Sequence, residues 1–211
     1  VRSLSDTSLS GRVSSDGTTF AGYELAADVE ILDTDGEGGY VSVYPSRIAG
    51  ARLEEGDVRY YRLDANEDID RLILEDVTGD TLDHVYVISA STSSGDMSTS
   101  GTYRYLLDGE SLTLSGSVIY DISRGGAALL TDSSGSVELF QQLEDVDLTS
   151  VDDLTATANN RAYSLAEDVQ VLLRDEDGDL YPTTLSEIQG GDYSLTGWYD
   201  DFDYAAGGRI R

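Results

Sequence analysis

This sequence predicts an all-β protein: duplicated small antiparallel β-barrel or β-sandwich modules joined by hairpins, with only short helical turns. Three observations predict it. Apolar and polar residues alternate at period two along most of the chain, and long helical periodicity is nearly absent. Glycine is frequent at 22 and proline scarce at 2, the balance of a chain with many tight turns and few breaks. One passage is also written twice. Residues 23–50 and 163–190 align without a gap at an offset of 140, with 11 of 28 positions identical.

The elements follow in order. Strands are expected at 28–33, 57–64, 70–76, 84–91, 102–108, 111–122, 127–132 and 136–143, each an alternating run rich in Val, Ile, Leu or Tyr. Asp16-Gly17, Asp108-Gly109 and Ser134-Gly135 stand between such runs, where a type I′ hairpin turn needs positive φ. Helical character is confined to 44–50, 184–191 and 148–154, each beginning near a Ser or Thr able to cap a turn or two. The Ser/Thr/Gly-rich stretch 91–101 reads as a mobile loop.

The repeated passage sets the organisation. Each copy carries a Tyr entry, an apolar strand, an Asp/Gly turn, a short capped turn ending in Ile-x-Gly, and then an aromatic hairpin. A period of 140 is too long for a solenoid and fits duplicated modules. The expected division is a first module at 1–80 and a second at 81–211, the latter combining middle hairpins (81–150) with the second copy (151–211). Duplication further predicts that Leu25, Val29, Ile31 and Ile48 are buried as their counterparts Leu165, Val169, Val171 and Ile188 are. The second copy reaches Arg211 where the first is entering "RLILED", so the sequence reads as a fragment that stops in or just after a strand.

Charge excludes several functions. Thirteen basic residues, all Arg, face 41 acidic ones for a net charge of −28. Such a surface repels nucleic-acid phosphates and anionic membranes, and favours cations and basic partners. No apolar run is long enough to span a bilayer, so no membrane insertion is expected, and the first residues lack the apolar core of a signal peptide. With no cysteine, disulfides, thiolate metal sites and Cys nucleophiles are excluded.

Catalytic signatures are wanting. The single histidine, His84, precedes a strand and has no G-x-S-x-G nucleophile elbow to serve. There is no phosphate-binding glycine loop. Among 41 acids, carboxylate pairs at glycosidase spacing arise by accident, so they carry no argument. The expectation is therefore no enzyme. Two binding chemistries are legible. Asp175, Asp177 and Asp179 alternate in a tight turn, as do Asp33, Asp35 and Glu37, and converging oxygens suit calcium. Counted from Asp175, however, Gly178 falls fourth and Ser186 twelfth, which is not an EF-hand. The two sets also fall out of register between the copies, which favours turn chemistry with, at most, weakly bound calcium. No other cofactor is expected. Tyr60-Tyr61 and Trp198-Tyr199 occupy corresponding hairpins; adjacent strand residues face opposite ways, so one ring of each pair is expected inside and the other free to stack on a sugar or a partner.

The passage "ANNRAYSLAEDVQVLLRDEDGDLYPTTLSEIQGGDYSLTGWYDD…GGRIR", preceded by "YRYLLDGESLTLSGS…RGGAALLTDSSGSVELFQQLEDVDLTSV", resembles the β-rich regions that accompany S-layer homology (SLH) domains in Firmicutes cell-surface proteins. The likeness covers roughly residues 20–211 and is one of pattern. It implies an extracellular, wall-associated location and no particular site residues; anchoring SLH helices would lie outside this sequence. The expected role is a noncatalytic structural or adhesive module whose partner is cell-wall glycan or another surface protein. The alternative is a carbohydrate-binding module using exposed Tyr and Trp, and third comes a fragment of a glycan-active enzyme.

Overall fold

The computed structural model describes residues 9–94, 98–189 and 191–211. The chain is all-β and folds as two compact units. One runs to Thr81 and includes the returning segment Phe202–Gly208; the other takes Leu82–Asp201 and Arg209–Arg211. Local pattern assigns residues 202–208 to the second module, yet they belong to the first unit, held by contacts that no local pattern encodes.

In the first unit, β1 (Gly11–Arg12) pairs with β5 (Arg52–Leu53). The main sheet has the order β2 (Thr19–Phe20), β3 (Tyr23–Thr34), β7 (Ile69–Glu75), β6 (Val58–Leu63), with β4 (Tyr40–Ser42) also on β3. All pairings are antiparallel except β3 with β7, which is parallel. Alternation decides which face is inward. Ile69, Leu72 and Leu74 of β7 are fully buried, and they join Val13, Phe20, Ile31, Ile48, Leu53, Val58 and Val77 in one core. A short 3-10 turn, Pro45–Arg47, stands where a helical piece is expected. Its Arg47 is buried and donates to the carbonyls of Ala206 (2.6 Å), Thr78 (2.8 Å) and Gly207 (2.9 Å), and to Asp80 (3.2 Å). This clasp fixes the returning segment.

In the second unit, β8 (Asp83–Ser94), β9 (Thr99–Leu107), β10 (Glu110–Gly116), β11 (Gly125–Thr131) and β12 (Val137–Gln142) form a sheet of order β10-β9-β8-β11-β12. Its core is Val85, Val87, Tyr103, Tyr105, Ile122, Ala127, Leu129 and Phe140. The Tyr103 hydroxyl accepts from the Tyr120 amide at 2.7 Å and donates to the Tyr120 carbonyl at 3.0 Å, so the ring is buried with its polar tip satisfied. Then come β13 (Glu144–Leu148), β14 (Ser150–Val151), β15 (Thr155–Ala158), β16 (Arg161–Ser164), β17 (Val171–Arg174), β18 (Leu180–Thr183), α1 (Leu185–Ile188) and β19 (Leu195–Tyr199). They make ladders β13-β19 and β14-β15-β16 about a second core of Val146, Ala156, Ala158, Leu165, Tyr199 and Ile210, and a separate ladder β17-β18.

Several expectations are corrected. Residues 148–154 are not a helical turn; Leu148 ends β13 and Ser150–Val151 is β14. The loop expected at 91–101 is instead a hairpin, whose strands run to Ser94 and from Thr99 in register; residues 95–97 lie outside those described. The strand expected at 111–122 ends at Gly116. Of the three type I′ turns, Asp108-Gly109 has both residues at positive φ, whereas at Asp16-Gly17 and Ser134-Gly135 only the glycine does. A second such pair, Asn159-Asn160, joins β15 to β16.

The repeated passage repeats in three dimensions. Leu32, Asp33 and Thr34 pair with Ser42, Val41 and Tyr40; Leu172, Leu173 and Arg174 pair with Pro182, Tyr181 and Leu180, the same register displaced by 140. Pro45–Arg47 and α1 begin at corresponding residues. Burial does not follow fully. Ile31 and Ile48 are buried with Leu25 and Val29 half-buried; in the second copy Leu165 is buried, while Val169, Val171 and Ile188 are half-buried. In the first copy β7 covers these residues; among the described residues of the second copy no strand does.

Candidate functional site

The Asp-rich turns are built alike. Asp175 Oδ1 accepts the amides of Asp177 (3.0 Å) and Asp179 (2.9 Å), and the Asp175 amide donates to the Asp179 carbonyl. Asp35 does the same with Glu37 and Gly39, Asp64 with Asn66 and Asp68, and Asp132 with Ser134 and Ser136. In all four loops the fourth residue has positive φ: Gly38, Glu67, Gly135 and Gly178. One carboxylate oxygen thus replaces the ladder bonds that the chain forfeits in reversing, as turn-forming Asp side chains do. In three of the four the sequence carries the signal, Asp followed three residues later by Gly; Asp64 is followed by Glu67 instead. Asp177 and Asp179 contribute amides to this loop. Among the described residues, no three His, Asp or Glu side chains gather as a cation site.

Carboxylates held by donors are also acidified. Asp16 accepts from Ser14 and Thr18 and is lowered to about 2. The hydroxyl of Ser134 lowers Asp132, and the guanidinium of Arg62 lowers Asp70. Asp33 is the opposite case. It is fully buried, and burial raises its pKa although the amides of Val77 and Thr78 and the Thr78 hydroxyl donate to it.

The four aromatic candidates are placed as follows. Tyr60 and Tyr61 are half-buried on β6, and Tyr61 packs against the first core with Tyr23 at 6.3 Å between ring centroids. Tyr199 is buried, edge-on to Tyr163 at 5.1 Å, with the Arg161 guanidinium over both rings. Trp198 is half-buried, edge-on to Tyr86, and lies across the backbone of Gly125 and Gly126. The most exposed rings are others: Tyr40, Tyr44, Tyr181 and Tyr193.

Trp198 also lines a groove of about 600 Å³ in the second unit. Leu165, Val169, Val171, Ile188, Leu195 and Ile210 give it apolar walls. At one end sits a buried charge cluster. Asp200 is fully buried and Arg211 nearly so; Arg211 Nε and a terminal guanidinium nitrogen each lie 2.6 Å from Asp200 Oδ2, and the Arg209 amide donates to Oδ1. His84 Nε2 stands 3.9 Å from the same carboxylate, too far for a hydrogen bond. The Gln170 side chain donates to the His84 carbonyl at 2.8 Å. These groups hold the segment 209–211, whose Ile210 bridges Leu165 and Tyr199, in place at the groove, and sequence reasoning missed them because Asp200 and Arg211 carry no motif.

Fold and groove together define an acidic, all-β protein with an internally repeated hairpin unit. Compared with family models, with curated proteins and with solved structures, the chain finds no match in any of the three. No helix among the described residues is long and apolar enough to cross a membrane.

Proposed function

We propose that this chain is a noncatalytic extracellular module, structural or adhesive, of a bacterial cell-surface protein. One observation carries the reading: what the two copies keep in common is backbone architecture. Asp35 and Asp175, with Gly38 and Gly178, build the same turn, and among the described residues no shared constellation of reactive groups accompanies them. The surface resemblance of residues 20–211 and the strong acidity support display in a wet, cation-rich exterior. A glycan-binding reading has its own support, in the half-exposed Trp198 of the groove and the exposed Tyr181 and Tyr193 nearby in sequence.

Two measurements separate these readings. Antibodies against the chain should label intact cells that make it; labelling only after lysis removes the surface reading. On a glycan array the structural module gives no specific signal. A sugar bound by the native chain and lost in Trp198→Ala, but kept in Tyr61→Ala, would replace it with the carbohydrate-binding reading.

A further inference from the structure

We propose that the groove of the second unit is a strand slot, which accepts one β-strand of the β7 pattern in line with Ile210 and Arg211. The inference is independent of the surface-module reading and rests on the repeat. In the first copy, β7 lies between β3 and β6, parallel to one and antiparallel to the other. Its first residue, Ile69, bridges Leu25 in parallel and Leu63 antiparallel. In the second copy Ile210 bridges Leu165 in parallel and Tyr199 antiparallel. The Ile210 amide donates to the Ser164 carbonyl (2.9 Å), the Ala166 amide to the Ile210 carbonyl (2.8 Å), and the Arg211 amide to the Trp198 carbonyl (2.9 Å). So Ile210 and Arg211 occupy the first two places of the slot that β7 fills in the first copy.

Among the described residues, β17 is paired by β18 and β19 by β13, and no described strand joins β17 to β19. The apolar lining matches the first copy. Ile31 and Ile48 are closed off from water in the core that holds Leu72 and Leu74; Val171 and Ile188, their counterparts, are half-buried on the groove wall. The register of the first copy then specifies the occupant. Arg71, Leu72, Ile73, Leu74 and Glu75 lie beside Glu30, Ile31, Leu32, Asp33 and Thr34. The incoming residues would lie beside Gln170, Val171, Leu172, Leu173 and Arg174. They should be apolar at the second and fourth places, and acidic at the fifth, opposite Arg174. Strand addition to an open sheet position is an established mode of peptide recognition, with main-chain bonds supplying affinity and alternate side chains specificity.

The test extends the 211-residue chain after Arg211 with the sequence of Arg71–Val77, and compares it with the unextended chain and with an extension in which the residues copied from Leu72 and Leu74 are Asp. The matched extension should raise the melting temperature by several degrees and slow amide exchange across Val171–Arg174 by tenfold or more, and the Asp extension should do neither. If the matched extension leaves both unchanged, the proposal is overturned, and an apolar dye that binds the unextended groove would then mark it as a small-ligand pocket. Equal stabilisation by both extensions overturns it too, since the alternating apolar face would be irrelevant.

Discussion

Gly126→Ala tests how the second unit is packed. Gly126 lies on β11, and its backbone does not require positive φ, so alanine is conformationally acceptable there. Space is the difficulty. An added Cβ would stand 2.5 Å from Trp198 Cγ and 2.6 Å from Trp198 Cβ, against about 3.5–4.0 Å for relaxed carbon contacts. Those atoms sit next to the β19 backbone, so no rotation of the indole moves them far. The backbone itself is fixed by pairing with β13 and by the Arg211 amide on the Trp198 carbonyl. Relief therefore means shifting a strand, and overpacking of this kind costs about 1–3 kcal/mol. Trp198→Ala alone should cost about 2 kcal/mol, below the range for a fully buried ring because the indole is half-exposed. In the double variant the ring is gone but the Cβ of position 198 still stands 2.6 Å from the added methyl, so the cost of Gly126→Ala should shrink without vanishing, and the two effects should fall short of additive by about 1 kcal/mol. Urea denaturation followed by far-UV circular dichroism measures all four proteins, since the only tryptophan is itself removed. A neutral Gly126→Ala, or costs that simply add, would refute the packing argument.

Other outcomes follow from the same contacts. Arg47→Ala should cost about 3–5 kcal/mol in urea denaturation, because it removes the donor that three carbonyls share in a buried clasp and the cation beside Asp80. Acid should destabilise the fold. The carboxylates of Asp16, Asp70 and Asp132 are held below their usual pKa, so their contribution is present above about pH 4 and lost as pH falls towards the Asp16 value of about 2. Asp33, raised by burial, acts with opposite sign above about pH 4, and Asp33→Asn should remove the loss of stability that it causes as pH rises from there, read in urea titrations. With a net charge of −28, the melting temperature should climb as NaCl goes to about 1 M, where the Debye length is about 3 Å. Calorimetric titration with calcium should give dissociation constants no tighter than about 10⁻⁴–10⁻³ M, unchanged by Asp177→Asn.

What was legible in the sequence is what local chemistry decides. Alternation located β6, β7, β11 and β12 to within two residues, because burial of one face is a period-two property. The repeat was legible because Tyr23, Asp35 and Gly38 recur with Tyr163, Asp175 and Gly178. Illegible were pairings whose partners lie far apart. Arg47 finds Ala206 across 159 positions, and Asp200 finds Arg211 through a chain reversal that passes through the other unit's sequence. The parallel pairing of β3 with β7 was missed for a similar reason: period-two alternation is the same in parallel and antiparallel strands. Residues 148–154 misled because "LTSVDDL" satisfies a helix cap, while Leu148 and Val151 are drawn into sheet by the partners they meet.

The turns connect the charge to the fold. A chain of 211 residues with many reversals exposes many amides that no ladder can satisfy, and in four loops an Asp carboxylate accepts two of them. The acid at the first turn position thus serves geometry, and positive φ is needed three places on, where glycine stands in three of the four loops and Glu67 in the other. Between the copies this pair is kept, Asp35 with Gly38 and Asp175 with Gly178, while the intervening residues drift from Gly-Glu to Glu-Asp. Had the loops been selected to hold a cation, the drifting positions would be the ones under constraint, because coordination at about 2.3–2.6 Å tolerates little displacement of a ligand oxygen. Of these, Glu37 and Asp177 turn their amides, not their side chains, to the carboxylate. The acids there are free to vary, and their abundance belongs to the surface the protein shows to its surroundings, not to the construction of the turn.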